Sequence, residues 1–259
     1  MISIDVIIVN YNNGRFLTQC LESVFSQSYE PKEIIVVDDA SNDDSMIILD
    51  SYARSGRIRL IKNNANIGVS ASRNKAIEFG VSEFITTLDA DDYYYDNKKL
   101  EAEVAIINSH GVDAIAFSNV LKVSEAGRNK WLISERKKIR EGNLFFFITH
   151  LNGFIPRDYL VSRKNFYAAG RYDENQNLYE DWDLKIRLAK FCTWHYSASV
   201  GTAYRDNPNG LSRAPRRDHI LATRYIFLKN CMKKNRFLRF LMFIRFFIYQ
   251  CIYLRRLAI

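Results

Sequence analysis

Short runs rich in apolar residues recur along the first half of the chain, at 4–9, 34–37, 58–61, 84–88 and 114–117. Between them the apolar positions fall at helical spacing, as in Phe16, Leu17, Cys20, Leu21, Val24 and Phe25. Strands of four to six residues alternating with helices dictate βαβ units and a mostly parallel sheet. Right-handed crossovers then bring the carboxyl ends of the strands to one edge. That edge gathers Asn10, Tyr11, Asp38, Asp39, Asp89 and Asp91. The pattern weakens beyond residue 118. There, 120–123 and 131–134 are expected to pair around a turn at Glu125-Ala126-Gly127, 143–150 to form a short helix, and 181–191 a longer one.

The fourth run ends in Leu88-Asp89-Ala90-Asp91-Asp92. Open α/β sheets bind ligands outside the carboxyl ends of their strands. Carboxylates crowded at such a point repel one another unless a positive charge lies between them. A hard divalent cation such as Mg2+ or Mn2+ takes oxygen ligands of this kind and shares them with substrate phosphates. Acidic clusters are also ordinary turn residues, so the cluster alone decides nothing. No Gly-x-Gly-x-x-Gly or Walker A sequence occurs, which removes the usual support for dinucleotide and P-loop chemistry. A phosphate here would need metal and arginine instead.

The chain has 259 residues, 47% of them hydrophobic, enough for a substantial core. Its four cysteines are far apart and include no Cys-x-x-Cys, which argues against a disulfide framework or a zinc knuckle and suits a reducing cytosol. The amino terminus lacks a basic region and carries Asp5 early, so no signal peptide is expected. The net charge of +8 is uneven: residues 212–259 hold 12 Lys and Arg against one acid, Asp218. A spanning helix needs about 20 predominantly apolar residues. Arg239, Arg245 and Gln250 interrupt the apolar stretch 236–257. A helix lying in an anionic membrane interface is therefore expected there, with packing on the domain or on a second subunit as the competing role.

Five stretches in order carry a resemblance: Val6-Ile7-Ile8-Val9-Asn10-Tyr11-Asn12, Glu33 to Ser41 with Asp38-Asp39, Asn66-Ile67-Gly68-Val69-Ser70-Ala71-Ser72-Arg73-Asn74, Leu88 to Asp92, and Glu180-Asp181-Trp182-Asp183. Together they resemble family 2 glycosyltransferases of the inverting, GT-A type. The resemblance implies an α/β fold with a Rossmann-like, mostly parallel central sheet flanked by helices. It further implies a glycosyltransferase domain over 1–212, with a nucleotide-binding half to about 117 and an acceptor half from about 118. Residues 213–259 are left as a basic, apolar helical tail.

The same resemblance implies roles residue by residue. Asp39 matches the acid that hydrogen-bonds the nucleotide base, with helix capping as its competing role. Val9 and Tyr11 match positions beside the nucleotide, where a tyrosine ring can stack on the base or simply pack. Arg73 would neutralise nucleotide charge, or be a solvated helix arginine. Asp89 and Asp91 match the pair that holds Mn2+ or Mg2+, Asp91 directly and Asp89 through ribose or metal water. Asp92 is a supporting acid or a helix-start residue. Asp181 matches the catalytic base, with Glu180 and Asp183 as alternatives; acidic charge at a helix start is also favourable in itself. Trp182 is either a sugar wall or core. Arg205, Arg213, Arg216 and Arg217 sit in a stretch suited to a loop closing over a diphosphate, or to a solvated basic loop. His219 would complete a metal shell or have no special role.

The activity so implied is metal-dependent transfer of a sugar from a nucleotide-diphosphate donor, UDP-linked, to a hydroxyl of a glycan or lipid-linked acceptor. The implied setting is bacterial surface polysaccharide assembly at the inner face of the cell membrane, without nucleic acid; a homodimer is left open. Two rivals remain. A sugar nucleotidyltransferase would release pyrophosphate and leave Glu180-Asp181 without a use. A non-catalytic adaptor would bind membrane or nucleic acid through the tail.

Overall fold

The computed structural model describes residues 2–128, 130–135, 137–150, 156–176, 178–208 and 210–231, together with 243, 244 and 247. The stretch 236–257, expected to lie in a membrane interface, falls almost wholly outside the described residues.

The first half alternates as expected. Strand β1 (Ile4–Asn10) is followed by α1 (Gly14–Phe25), β2 (Glu33–Asp38), α2 (Ser45–Arg54), β3 (Arg59–Lys62), α3 (Val69–Phe79) and β4 (Phe84–Asp89). These four strands are parallel and ordered β3-β2-β1-β4. The strands are buried on both faces, and successive side chains enter opposite cores with the two-residue period of a strand. Ile7, Ile35, Val37 and Ile85 enter one core with Ala76 and Ile77 of α3. Val6, Ile8, Ile34, Val36 and Leu88 enter the other with Leu17, Leu21 and Val24 of α1.

Beyond β4 lie β5 (Tyr93–Tyr94), α4 (Lys99–His110), β6 (Ala114–Val123), β7 (Trp131–Leu132), α5 (Phe145–Thr149), β8 (Tyr159–Ser162), α6 (Arg163–Ala168), α7 (Glu180–Leu188), β9 (Thr193–Arg205) and α8 (Arg216–Cys231). The sheet continues as β4-β8-β6-β9-β5, with β7 on β6. It is parallel through β4 and mixed beyond, since β8 is antiparallel to both β4 and β6 while β9 runs parallel to β6. The expected β6–β7 pairing is present, Leu121 opposite Leu132, and α5 and α7 form where short and longer helices were expected.

The chain leaves β1 towards β2 and β3 on one side, then returns to β4 on the other. The strand order thus reverses between β1 and β4, the position at which open α/β sheets present a crevice. There Val9 lies opposite Asp89.

A buried ion pair away from this crevice joins the two halves. Asp5 of β1 is fully buried and accepts from the Ser82 amide at 3.0 Å, the Ser82 hydroxyl at 2.5 Å and Arg163 Nη2 at 2.7 Å. Gly80 makes room, because a Cβ there would sit 2.2 Å from Asp5 Oδ2. Removing one partner of a buried pair leaves an uncompensated charge. Arg163→Met should therefore cost about 3–5 kcal/mol in urea unfolding with the m-value unchanged. A loss under about 1 kcal/mol would show that water, not Arg163, satisfies Asp5.

Candidate active site

Six acids and four basic side chains from distant parts of the chain gather along this edge. Asp39 follows β2. It is 2% exposed and accepts from the backbone amides of Ile67 and Gly68, each at 2.9 Å, and from Asn63 Nδ2 at 2.8 Å. Its carboxylate therefore fixes the turn that leads into α3 rather than capping α2. Ala40 beside it has φ 62°, a conformation unusual for a non-glycine residue. The Asp38 carboxylate holds that bend by accepting from the Ser41 amide at 2.9 Å and hydroxyl at 2.7 Å. Tyr11, at the end of β1, is 46% exposed, so its ring is open to a planar partner.

The turn fixed by Asp39 aims α3, and α3 carries Arg73. Arg73 is not a solvated helix arginine. It is buried, with Nη2 donating to Asp89 Oδ1 and Nη1 to Glu180 Oε1, both at 2.5 Å. Burial alone would raise the Asp89 carboxyl, but Arg73 and Arg157 outweigh it and hold Asp89 below the usual range. In Glu180 burial wins over Arg73 and the carboxyl is raised.

Ligand oxygens of Asp89, Asp91 and Asp92 lie within 4.8 Å of one another. Asp92 is a buried supporting acid: Arg157 donates to it through Nε at 3.0 Å and Nη2 at 2.7 Å, and the Arg205 amide at 2.8 Å. Asp91 differs from its neighbours. Among the described residues it makes no ion pair; Asn207 Nδ2 donates to its Oδ2 at 2.9 Å. Burial and the charge of Asp89 raise its carboxyl, so a cation would be welcome there. Hard carboxylate oxygens this close suit Mg2+ or Mn2+, and Asp91 is the one with least competition for them.

Helix α7 brings the remaining acids. Its first residue follows Tyr179, held at φ 62°, whose hydroxyl lies 2.9 Å from His219 Nδ1. His219 thus supports the start of α7 and is not part of the acidic metal cluster. Asp183 is fully buried and faces away from the crevice, contacting Arg187, Lys229 and Asn230, which excludes it as a base. Trp182 is 2% exposed and donates to the Ile148 carbonyl at 2.6 Å; it is core, not a sugar wall. Asp181 alone of the three acids stays open, its side chain 39% exposed. Its Oδ1 accepts from the Trp182 amide at 2.7 Å and its Oδ2 from the buried Lys185 at 2.6 Å. Burial pushes this carboxyl up, but Lys185, Arg73 and Arg157 prevail and hold it at about 2.

Arg205 closes β9 instead of riding on a loop. Its guanidinium is occupied by the Asp91 carbonyl, the Glu125 carbonyl and Gln19, so it is not spare for a diphosphate. Arg213 pairs with Asp206 on the surface, and Arg216 and Arg217 lie exposed at the start of α8. Sequence reasoning missed Arg157, Lys185 and Asn207. The spacing of Asp181 and Lys185, four apart on one helix, was a readable signal; nothing local marked the other two.

The glycosyl transferase family 2 model matches residues 5–169, a span that ends before α7. The uncharacterized glycosyltransferase MJ1057 of Methanocaldococcus jannaschii is 30% identical over 188 residues, covering 71% of this chain and 63% of that protein. The amylovoran biosynthesis glycosyltransferase AmsB of Erwinia amylovora is 26% identical over 200 residues, covering 73% and 64%. The chain thus spans less than two thirds of either relative. The crystal structure of S. aureus TarS 1-349 in complex with UDP-GlcNAc superposes with a TM-score of 0.76 at 18% identity, over 96% of this chain and 72% of that one. The folds are alike, GT-A in type.

Because its folded value lies below the ordinary ~3.9, the Asp181 carboxylate contributes stability at neutral pH that fades as pH falls from about 4 towards 2. Solvent screening of this partly open group limits the contribution to roughly 1 kcal/mol. Asp181→Asn should be less stable than the parent by that amount at pH 7, with the gap narrowing towards about pH 3. Urea unfolding across this range checks it; a gap independent of pH would show that Lys185 does not hold the carboxylate.

Proposed function

This chain belongs to glycosyl transferase family 2, and from that premise we propose that it moves a sugar from a nucleoside-diphosphate donor to a hydroxyl of a glycan or lipid-linked acceptor, with inversion. The observation that carries the reading is the linkage of Asp91, Asp89, Arg73, Glu180 and Asp181 at one sheet edge, with Asp181 the single open acid of α7. A donor laid across the β1/β4 switch point would place its base near Tyr11 and Asp39 and its diphosphate near Asp91. TarS binds UDP-GlcNAc, and a uridine donor is proposed here too. The biosynthetic role in the name of AmsB supports a polysaccharide setting.

The acceptor hydroxyl attacks the anomeric carbon from the face opposite the diphosphate. The carbon–oxygen bond to phosphate breaks with its electron pair on the leaving nucleotide, and Asp181 takes the hydroxyl proton as the new bond forms. Lys185 keeps Asp181 ionised and turned towards the crevice. Arg73 and Glu180 fix α7 against Asp89. A divalent cation held through Asp91, with Asp89 behind it, would supply Lewis-acid stabilisation of the leaving diphosphate.

The tail is proposed to meet the cytoplasmic face of an anionic membrane. No helix among the described residues is long and apolar enough to cross one. On α8, Leu221 and Tyr225 are 52% and 46% exposed among Arg216, Arg217 and Arg224, a composition that suits headgroups and the acyl boundary.

Asp181→Asn should lower transfer at least ~100-fold while UDP binding with Mn2+ stays near parental, read by product analysis and calorimetry; normal turnover would remove Asp181 from the role. Asp91→Ala should abolish the effect of Mn2+ on UDP affinity, and an undiminished effect would end the metal assignment. A chain cut after Cys231, which keeps α8 and its exposed face, should float less with anionic liposomes; equal flotation would discard residues 232–259 as a membrane contact.

A further inference from the structure

Arg157 is absent from the motifs that carry the family resemblance, yet it is the group most engaged with the acid cluster. It precedes β8 and reaches back 65 residues to Asp92 and 68 to Asp89. Nη2 donates to Asp89 Oδ2 at 2.6 Å and to Asp92 Oδ2 at 2.7 Å, with Nε at 3.0 Å from the same Asp92 oxygen. The guanidinium lies on the face of Tyr204, 3.8 Å from the ring centroid. Its charge is permanent, since arginine does not lose its proton in proteins. Two of the three acids therefore carry a built-in cation, and Asp89 is shared with Arg73 besides. Among the described residues the Asp91 carboxylate is met only by the neutral amide of Asn207.

Three carboxylates so close would, without Arg157, attract divalent cations strongly even with no donor present. With it, one carboxylate stays uncompensated, and a single acid is a weak ligand until other oxygens join it. We propose that Arg157 is a positioning residue, a resident counter-cation that reserves the cluster for one metal ion at Asp91 and defers tight metal binding until the donor's diphosphate arrives. The proposal rests on the donor-site reading above, and its test separates the two.

Thermal unfolding is followed with Mn2+ alone and with Mn2+ plus UDP, for the parent and for Arg157→Met. The parent should be insensitive to Mn2+ alone and stabilised by the combination. Arg157→Met, with Asp92 uncovered and Asp89 left to Arg73 alone, should be stabilised by Mn2+ alone, by about 5–10 °C at a hundredfold excess over the dissociation constant. Mn2+ counted by equilibrium dialysis should rise in parallel. Arg157→Gln keeps a donor and drops the charge; it serves the same test where the methionine variant does not fold, and should behave alike. If parent and variants respond equally to Mn2+ alone, Arg157 does not gate the metal and the proposal falls. If Mn2+ with UDP stabilises none of them, the donor-site reading itself fails.

Discussion

Arg73 is the interaction on which the site depends. Its buried guanidinium ties Asp89 of β4 to Glu180 of α7, the latter 107 residues beyond Arg73 in sequence. A charge taken out of water must find partners or unfold what buries it. The two carboxylates thus fix where α7 can lie. The placement begins earlier still, because Asp39 sets the turn before α3 and α3 carries Arg73. A residue suited to meeting a base thereby also aligns the helix that bears the proposed general base, and one helix connects both ends of the reaction.

The crevice divides its charges unequally. Asp89, Asp92 and Glu180 are met by arginines and Asp183 is turned inward, which leaves Asp91 and Asp181 as the acids open to a ligand. They face different tasks: Asp91, raised by burial and by Asp89, gains from a cation, while Asp181 is kept ionised by Lys185. The same residue type is driven in opposite directions by its neighbours.

The first half of the fold was legible because its strands are continuous apolar runs flanked by helices of regular period. The second half was not. Strand β9 has thirteen residues of mixed exposure and shifts register against β6 near Asn119, so no period of two runs through it, and Arg205 reads as part of a loop. The acidic cluster was readable because its members are adjacent in sequence. Arg157 and Asn207 join it only through the folding of β8 and of the turn after β9, and no local spacing announces either. Trp182 was left open between function and packing, and packing claims it; His219, left open between a metal shell and no special role, meets Tyr179 at the start of α7.

The inward turn of Asp183 has a mechanical side. Its two oxygens contact Arg187 of its own helix and both Lys229 and Asn230 of α8. The proposed catalytic helix is thereby fastened to α8, from which the basic tail continues. A displacement of α8 would disturb the contacts of Lys229 and Asn230 with Asp183 and so bear on the start of α7. A binding event outside the crevice would thus have a lever on the orientation of Asp181, the residue proposed to receive the proton.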